Sequence, residues 1–343
     1  MKYFLSLLCI IKDERYLEEF IMYYHILGVE HFYIYDNESQ IPIIERLNND
    51  YFKNLCTIIN FPGKVQQLNA YNNYLVNYKM NTKWLIIIDG DEFILPKNHF
   101  SLRDFLKEYD NYHAIGINWV MFGTSFHEKI QEGFVIDNYR YCNDKQNKHI
   151  KTICKPEFVV KIDNPHYVIL TNPNKYVDPH KRVISGPFNE NNSIDIIQIN
   201  HYWGKSIEEH HEKKNRGRAT TNELRVIIDN PHLKYNKIKD NLICDKYLDY
   251  LIKQKMILNI NWEIYKILNP DLNFDKKEKF YKHLINHGIY ENRCYHIKDK
   301  YPDFNPDYYK KNYKDLCNLN DLQLEKHYLE HGIKEKRIIN KLL

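Results

Sequence analysis

Four short apolar runs in the N-terminal quarter of the chain, at 4–11, 31–35, 56–60 and 84–88, constrain the fold more than any other feature. The first lacks a regular polar alternation, which suits a strand covered on both faces. Leu17, Phe20, Ile21 and Tyr24 then recur at helical spacing. Asp13 stands where it can cap that helix, and Gly28 suits the position just past its end. The second run stops at Asp36-Asn37-Glu38-Ser39, and the third is followed by Pro62-Gly63. A helix over about 65–78 leads to the fourth. This β-α-β-α-β-α-β series predicts an α/β fold with a mostly parallel sheet and right-handed crossovers.

The middle of the chain is less regular. Residues 114–122, 152–162 and 194–202 read as strands with long connections. A charged helix is expected over 205–219, opened by the S-x-x-E capping box of Ser206 and Glu209. From Asn261 the chain repeats itself without a gap. Asn261, Tyr265, Asp271, Leu272, His283, His287, Gly288, Glu291 and Arg293 recur as Asn305, Tyr309, Asp315, Leu316, His327, His331, Gly332, Glu335 and Arg337. The offset is 44 residues, the mark of two copies of a small helical unit. The expected organisation is an α/β domain over 1–220, a helical connector over 221–258 and the two repeats over 259–343. The paired histidines of each repeat lie at i and i+4 and so share a helix face. No further ligand stands at a recognisable spacing. A histidine in the last helical turn, favourable to the helix dipole, is therefore preferred over a zinc ligand.

Composition excludes several classes. With 49 basic and 45 acidic residues the formal net charge is +4, too balanced to make nucleic acid the main ligand. The seven cysteines are scattered and contain no CxxC pair, which argues against a disulfide framework and for reduced thiols in the cytoplasm. The apolar run at 3–11 is far short of the roughly 20 residues that span a bilayer. No small-residue cleavage site follows it, so it reads as a buried first strand rather than a signal peptide. Heavy use of Tyr, Asn, Ile and Lys reads as nucleotide bias.

Candidate chemistry centres on Ile86-Ile87-Ile88-Asp89-Gly90-Asp91-Glu92-Phe93. Three carboxylates crowd the carboxyl end of a buried strand, where open α/β sheets bind ligands. Such charges repel one another and resist desolvation. A hard cation, Mn²⁺ or Mg²⁺, relieves both problems. The simpler alternative is a turn that ends the strand. Further on, Asn200-His201-Tyr202-Trp203-Gly204-Lys205-Ser206 ends a strand in a histidine and starts a helix beside a lysine. His201 is a candidate metal ligand, and Lys205 with the helix start a candidate diphosphate site. A buried structural histidine and a solvated lysine are the alternatives. Asp36 either accepts the imide N–H of uracil or forms an Asx turn. The stretch from Glu208 to Arg218 reads mostly as a solvated helix face, from which Arg216 or Arg218 could reach a phosphate.

Taken in order, several stretches resemble the glycosyltransferases of family 92 and the similar family-2-like transferases of bacteria and large viruses. They are Lys12-Asp13-Glu14 with Glu19, Tyr24-His25-x-Leu27-Gly28, Tyr35-Asp36-Asn37-x-Ser39 and Gln67-x-x-Ala70-Tyr71-Asn72. Lys83-Trp84 through Phe93, Trp119-x-x-Phe122-Gly123, Lys151 through Pro156, His166, and Asn200-His201-Tyr202 with Lys205-Ser206 complete the match, over roughly 1–220. The resemblance implies the GT-A fold, a nucleotide-sugar donor that is UDP-linked, a divalent metal, and a glycan or glycoprotein acceptor. It implies that Asp91 holds the metal, that Asp89 contacts ribose or metal, and that His201 is the late metal ligand. Lys205 would contact the diphosphate, with Lys12 and Asp36 also on the donor side. Trp119, Phe122, Gly123 and His166 would lie toward the acceptor. Inversion at the anomeric carbon, the commoner outcome in related enzymes, requires a carboxylate base near the acceptor. Glu92 is the nearest candidate, Glu128 and Asp163 are weaker ones, and the base stays unassigned. Eukaryotic members usually carry a membrane anchor, and none is visible here. That points to the cytoplasm or, for a viral chain, to the host cytoplasm or the virion. The repeats could bind a partner or acceptor, or brace the fold.

Two rival classes remain. A sugar-nucleotide nucleotidyltransferase would share the sheet and the acidic site. It would also need a Gly-rich loop after the first strand, and Leu8-Cys9-Ile10-Ile11-Lys12-Asp13 has none. A non-catalytic scaffold would bind partners through its repeats, but the intact acidic triplet speaks against it.

Overall fold

The structure is a computed structural model. It describes residues 1–216, 231–258, 260–272 and 293–340, together with 275, 276, 279, 280, 283, 284, 287 and 291. The chain forms two compact units, Met1–Leu251 and Ile252–Leu343. The end of the expected helix beyond 216 and the part of the expected connector over 221–230 lie outside the described residues.

The first unit opens with β1 (Tyr3–Ile11), α1 (Leu17–Ile26), β2 (His31–Asp36) and two short helices, α2 (Ile43–Arg46) and α3 (Asp50–Leu55). Next come β3 (Cys56–Asn60), α4 (Gln67–Asn77) and β4 (Thr82–Ile87). This is the alternating series that the apolar runs predict, and β3, β2, β1 and β4 pair in parallel in that order. Helix α1 ends as expected. Gly28 has φ +96°, and Val29 donates to the carbonyl of Tyr24, five residues back. Its start differs from expectation. Asp13 sits at φ +51°, too far ahead of the helix to cap it, and accepts the N–H of Gln40 instead.

After the acidic turn come β5 (Glu92–Pro96), α5 (Leu102–Lys107), β6 (Ala114–Met121), α6 (Val135–Asn138), β7 (Tyr141–Cys142) and β8 (Asn147–Cys154). They are followed by β9 (Val159–Asn164), β10 (Tyr167–Leu170), β11 (Tyr176–Val177), β12 (Ile197–His201) and α7 (Ile207–Arg216). The strand expected over 152–162 is two strands. Pro156 has no N–H to give a ladder and opens a 3₁₀ turn, Pro156–Phe158. Beyond it, β9 leaves the main sheet and pairs with β10. The main sheet runs β3-β2-β1-β4-β8-β6-β12-β5, with β11 beside β6. Strands β8 and β5 are antiparallel to their neighbours, and the remaining pairs are parallel. Helix α8 (Pro231–Tyr235), β13 (Ile238–Lys239) and α9 (Leu242–Leu258) follow, and β13 pairs with β7.

Edge strand β5 would expose unpaired backbone groups. Two tyrosines of α1 cover it. The Tyr23 hydroxyl donates to the Ile94 carbonyl. The Tyr24 hydroxyl donates to the Glu92 carbonyl and accepts the Ile94 N–H. Tyr33, Tyr35, Tyr71, Tyr74 and Tyr176 are equally buried in one apolar cluster with Leu8 and Leu85. The abundant tyrosines therefore serve the core as large apolar bodies whose hydroxyls can satisfy backbone or side-chain partners.

In the second unit, Asn261 caps α10 (Trp262–Leu268), and Asn305, 44 residues on, caps the helix Pro306–Asn312. Arg293 binds Asp271 and Glu291, and Arg337 binds Asp315 and Glu335 in the same way. His327 meets the buried Tyr309 hydroxyl at 3.0 Å, while His283 lies 3.8 Å from Glu291. No helix among the described residues is long and apolar enough to cross a membrane.

Candidate active site

The acidic turn sits where β4 hands over to β5. The Ile88 N–H reaches the Leu8 carbonyl, and the Glu92 N–H closes the turn on the Asp89 carbonyl. Antiparallel pairing of β12 with β5 places His201 opposite Glu92. Beside it, the Tyr202 N–H donates to the Asp91 carbonyl at 2.9 Å. Ladder register is thus what brings a histidine from residue 201 onto the turn. A side chain at Gly90 would put its Cβ 2.7 Å from Ile11 Cδ1 and 3.3 Å from Glu14 Cγ. Glycine lets the loop after β1 close over the turn.

The three carboxylates have different surroundings. Asp89 accepts from Lys151 Nζ at 2.8 Å and from Gln67 Nε2 at 2.8 Å. Gln67 in turn holds the Tyr71 hydroxyl, one helical turn along α4. Burial pushes the Asp89 carboxyl up, but the Lys151 ammonium outweighs it and holds the group below its ordinary range. Asp91 Oδ2 accepts from Lys213 Nζ and lies 3.6 Å from His201 Nε2. Burial again opposes ionisation there. Lys213, then His201, overcome it and hold Asp91 well below the carboxylate range. Glu92 is fully buried. Its Oε2 accepts the Asp89 N–H at 3.1 Å, and Lys151 stands 3.8 Å away. Burial dominates and raises this carboxyl well above its usual value. The His201 imidazole is lowered by burial against the pull of Asp91 and is held neutral.

Among the described residues, Asp91, Glu92 and His201 form the group that could hold a metal, each offering one ligand atom within 4.8 Å of the others. Glu92 Oε1 and His201 Nδ1 are buried without a hydrogen-bond partner. A nitrogen and carboxylate oxygens with unspent capacity fit a divalent ion. The sequence reading put Asp89 in this group. The three converging ligand atoms belong instead to Asp91, Glu92 and His201, while Asp89 accepts from Gln67 and Lys151.

The donor-side candidates divide. Lys12 and Lys205 line one cavity of about 710 Å³, with Arg15, Trp203, Glu212 and Lys213. Lys205 bonds Glu14 at 2.8 Å and stands over the Tyr16 ring. Ser206 and Glu209 form the expected capping box behind it, each side chain bonding the other's N–H. Asp36 is not in that cavity lining. Its oxygens accept the N–H groups of Ser39 and Ile43, which is the turn alternative.

The acceptor-side candidates divide too. Trp119 packs among His201, His149 and His166, with ring centroids 4.4, 5.1 and 5.0 Å away. His166 bonds the Ile150 carbonyl through Nδ1, which leaves Nε2 as the acceptor nitrogen. Burial, then Lys151, push His166 down to about 3. Phe122 is buried against Tyr202 and offers no surface. Gly123 lies where a Cβ would strike Asn236. Of the base candidates, Glu92 faces the interior, Asp163 pairs with Lys161 and Glu128 with His232. Side chains at 216 and 218 lie outside the described residues.

Lys151 and Lys213 were not identified as partners of the turn from sequence. Lys151 was detectable as a lysine inside Ile150-Lys151-Thr152-Ile153, since a buried lysine needs a carboxylate. Lys213 was detectable from the spacing Ser206, Glu209, His210, Lys213, the i, i+3, i+4, i+7 face of α7.

A mostly parallel sheet with an acidic turn after its fourth strand and a histidine returned onto that turn defines a GT-A type α/β protein. The chain belongs to glycosyltransferase family 92, whose family model matches residues 10–230. A family 92 protein of Oryza sativa subsp. japonica is 29% identical over 170 residues, covering 48% of this chain and 29% of that relative. One of Ricinus communis is 27% identical over 215 residues, covering 60% and 36%. The chain thus spans about a third of the length of these curated relatives. Among solved structures, Staphylococcus aureus TarS in complex with UDP is similar with 12% identity and a TM-score of 0.31, over 46% of this chain and 48% of that one. HddC from Yersinia pseudotuberculosis is similar with 13% identity and a TM-score of 0.33, over 52% and 91%.

Proposed function

We propose that this protein transfers a sugar from a nucleotide-sugar donor, UDP-linked, to an acceptor hydroxyl on a glycan or glycoprotein, with inversion at the anomeric carbon. One observation carries the proposal. Asp91, Glu92 and His201 converge next to Lys213, which lines a cavity whose wall also holds Lys12, Arg15 and Lys205 among the carboxylates Asp13, Glu14, Glu209 and Glu212. A diphosphate needs this combination of a metal-competent cluster and clustered cations. Asp91, Glu92 and His201 would hold Mn²⁺ or Mg²⁺, and the ion would supply Lewis-acid stabilisation of the leaving diphosphate. Lys205, fixed by Glu14, and Lys12 add positive potential where charge develops. The loop after β1 packs on the turn at Gly90, with Ile11 and Glu14 against it. Trp119, beside His201, gives a sugar ring an aromatic face on the acceptor side.

Thermal melting with a panel of nucleotides tests this reading. UDP and one UDP-sugar should raise the melting temperature in Mn²⁺, with a gain near 2.7 kcal/mol at about 100 times Kd. The shift should vanish in Asp91→Asn, which folds normally but loses transfer by roughly 10²–10³-fold. A folded Asp91→Asn protein with full turnover would sink the assignment of Asp91.

A further inference from the structure

The acidic turn already holds cations supplied by the protein. Three carboxylates, Asp89, Asp91 and Glu92, face two ammonium groups. Lys151 is nearly fully buried at 1% exposure, 2.8 Å from Asp89 and 3.8 Å from Glu92. Lys213 is on Asp91, its side chain 13% exposed. Lys205 acts on Asp91 only at longer range, because Glu14 holds it. The two engaged lysines differ in one respect. Lys151 rises from a central strand and is enclosed. Lys213 rises from α7, reaches the turn across the Trp203 carbonyl at 2.7 Å, and also lines the cavity. It occupies Asp91 Oδ2, the oxygen that His201 Nε2 faces at 3.6 Å, so it stands on the ligand atom that a metal would take.

We propose that Lys213 is an exchangeable resident cation. It neutralises Asp91 in the metal-free protein, and a divalent ion binds only by displacing it toward the cavity. There the ammonium stays on the cavity wall with Lys12, Arg15 and Lys205, among the carboxylates Asp13, Glu14, Glu209 and Glu212. This inference rests on the metal-competent reading of Asp91, Glu92 and His201, but not on the identity of any donor. An ammonium and a divalent ion cannot share one carboxylate oxygen without strong repulsion, so removing the ammonium removes a competitor. It also leaves a buried carboxylate unpaired until a metal arrives.

The test uses the full chain without nucleotide. Mn²⁺ binding is followed by the electron paramagnetic resonance signal of free Mn²⁺, and melting is compared in EDTA and in Mn²⁺. Lys213→Met should bind Mn²⁺ at least about tenfold tighter than wild type, melt several degrees lower in EDTA, and regain that loss in Mn²⁺. Lys213→Arg keeps a cation and should behave as wild type. If Lys213→Met fails to fold, Lys213→Gln replaces it, with the same expectations. Unchanged Mn²⁺ affinity in the folded variant overturns the proposal. So does a loss of stability that Mn²⁺ does not restore, since the lysine would then be a permanent structural partner. A chain that passes this test and binds no UDP refutes the donor reading alone. One that binds UDP with Mn²⁺ and fails this test refutes the exchange alone.

Discussion

Asp89 and Asp91 are separated by one glycine, yet they belong to different regions of the molecule. Asp89 faces the α4–β8 side, where Gln67 and Lys151 reach it from regular elements packed in the core. Asp91 faces the β12–α7 side, where His201 and Lys213 meet it at the edge of a cavity. Both carry the same functional group and both are held ionised by a lysine, although the Asp89 side chain is 34% exposed and that of Asp91 11%. The difference lies in whether the lysine can leave. Lys151, 1% exposed, is enclosed and acts as structure, whereas Lys213, 13% exposed, stands beside open space and is available for exchange.

Lys151→Met should break the enclosed side most severely. It removes the buried ammonium shared by Asp89 and Glu92, and because water reaches Asp89 the loss should be about 2–3 kcal/mol rather than the full 3–5 of a buried pair. Urea denaturation measures this, and a loss below about 1 kcal/mol would show that solvent replaces the lysine. Asp91→Asn in the same experiment should change stability far less.

Glu19 sharpens the comparison as a buried carboxyl whose direct partners are the Val135 and Ile136 N–H groups. Burial pushes it up to about 8 from 4.5. The folded state then keeps a proton that the unfolded chain releases above 4.5, so stability should fall as pH rises toward 8 and level off beyond it. The slope is at most about 1.4 kcal/mol per pH unit. Glu19→Gln should flatten this decline, as read from melting temperatures between the two limits. An unchanged slope would place the titrating group elsewhere.

Ser206→Ala removes the cap that fixes α7, at a loss of about 1 kcal/mol. It should loosen the Asp91 side alone, visible as faster amide exchange in α7 with α4 unaffected. Tyr71→Phe is the mildest change. The Tyr71 hydroxyl accepts from Gln67 at 2.9 Å and lies 3.4 Å from Asp89, and losing it should reduce stability by about 0.5–1 kcal/mol. A larger loss would mean that Gln67 depends on the tyrosine to hold its orientation.

These differences mark how far the sequence could be read. The four apolar runs, the acidic turn, the capping box and the Gly28 helix end were all legible, because each depends on neighbours within a few residues. The ladder that sets His201 opposite Glu92 was not, because register between strands more than a hundred residues apart has no local signature. Replacement of Asp89 by Glu92 in the metal-competent group has the same origin. Alternation along a strand tells which face a side chain takes, but only the positions of Gln67 and Lys151 in space reveal that Asp89 is engaged elsewhere. The break at Pro156 was legible in principle, and the apolar residues on both sides concealed it. Asp13 failed as a cap for a simpler reason: it forms a left-handed turn, which aspartate tolerates, three residues ahead of Tyr16 at the helix start.

The capping box at the start of α7 has a consequence for how this gene can change. With Ser206 and Glu209 locked together, the helix behaves as a ruler whose zero mark is set at the sheet. Each residue advances it by about 1.5 Å and turns it by about 100°. A single codon inserted or deleted between Glu209 and Lys213 would swing the ammonium off the acidic turn, even though the region is charged and helical and looks permissive. A whole inserted turn would restore the direction but carry the ammonium about 5.4 Å along the axis, so only gaps placed elsewhere, as in the β9–β10 hairpin loop, escape that penalty. Descendants of this chain should therefore vary at the outward positions of α7 and scarcely at all in its spacing.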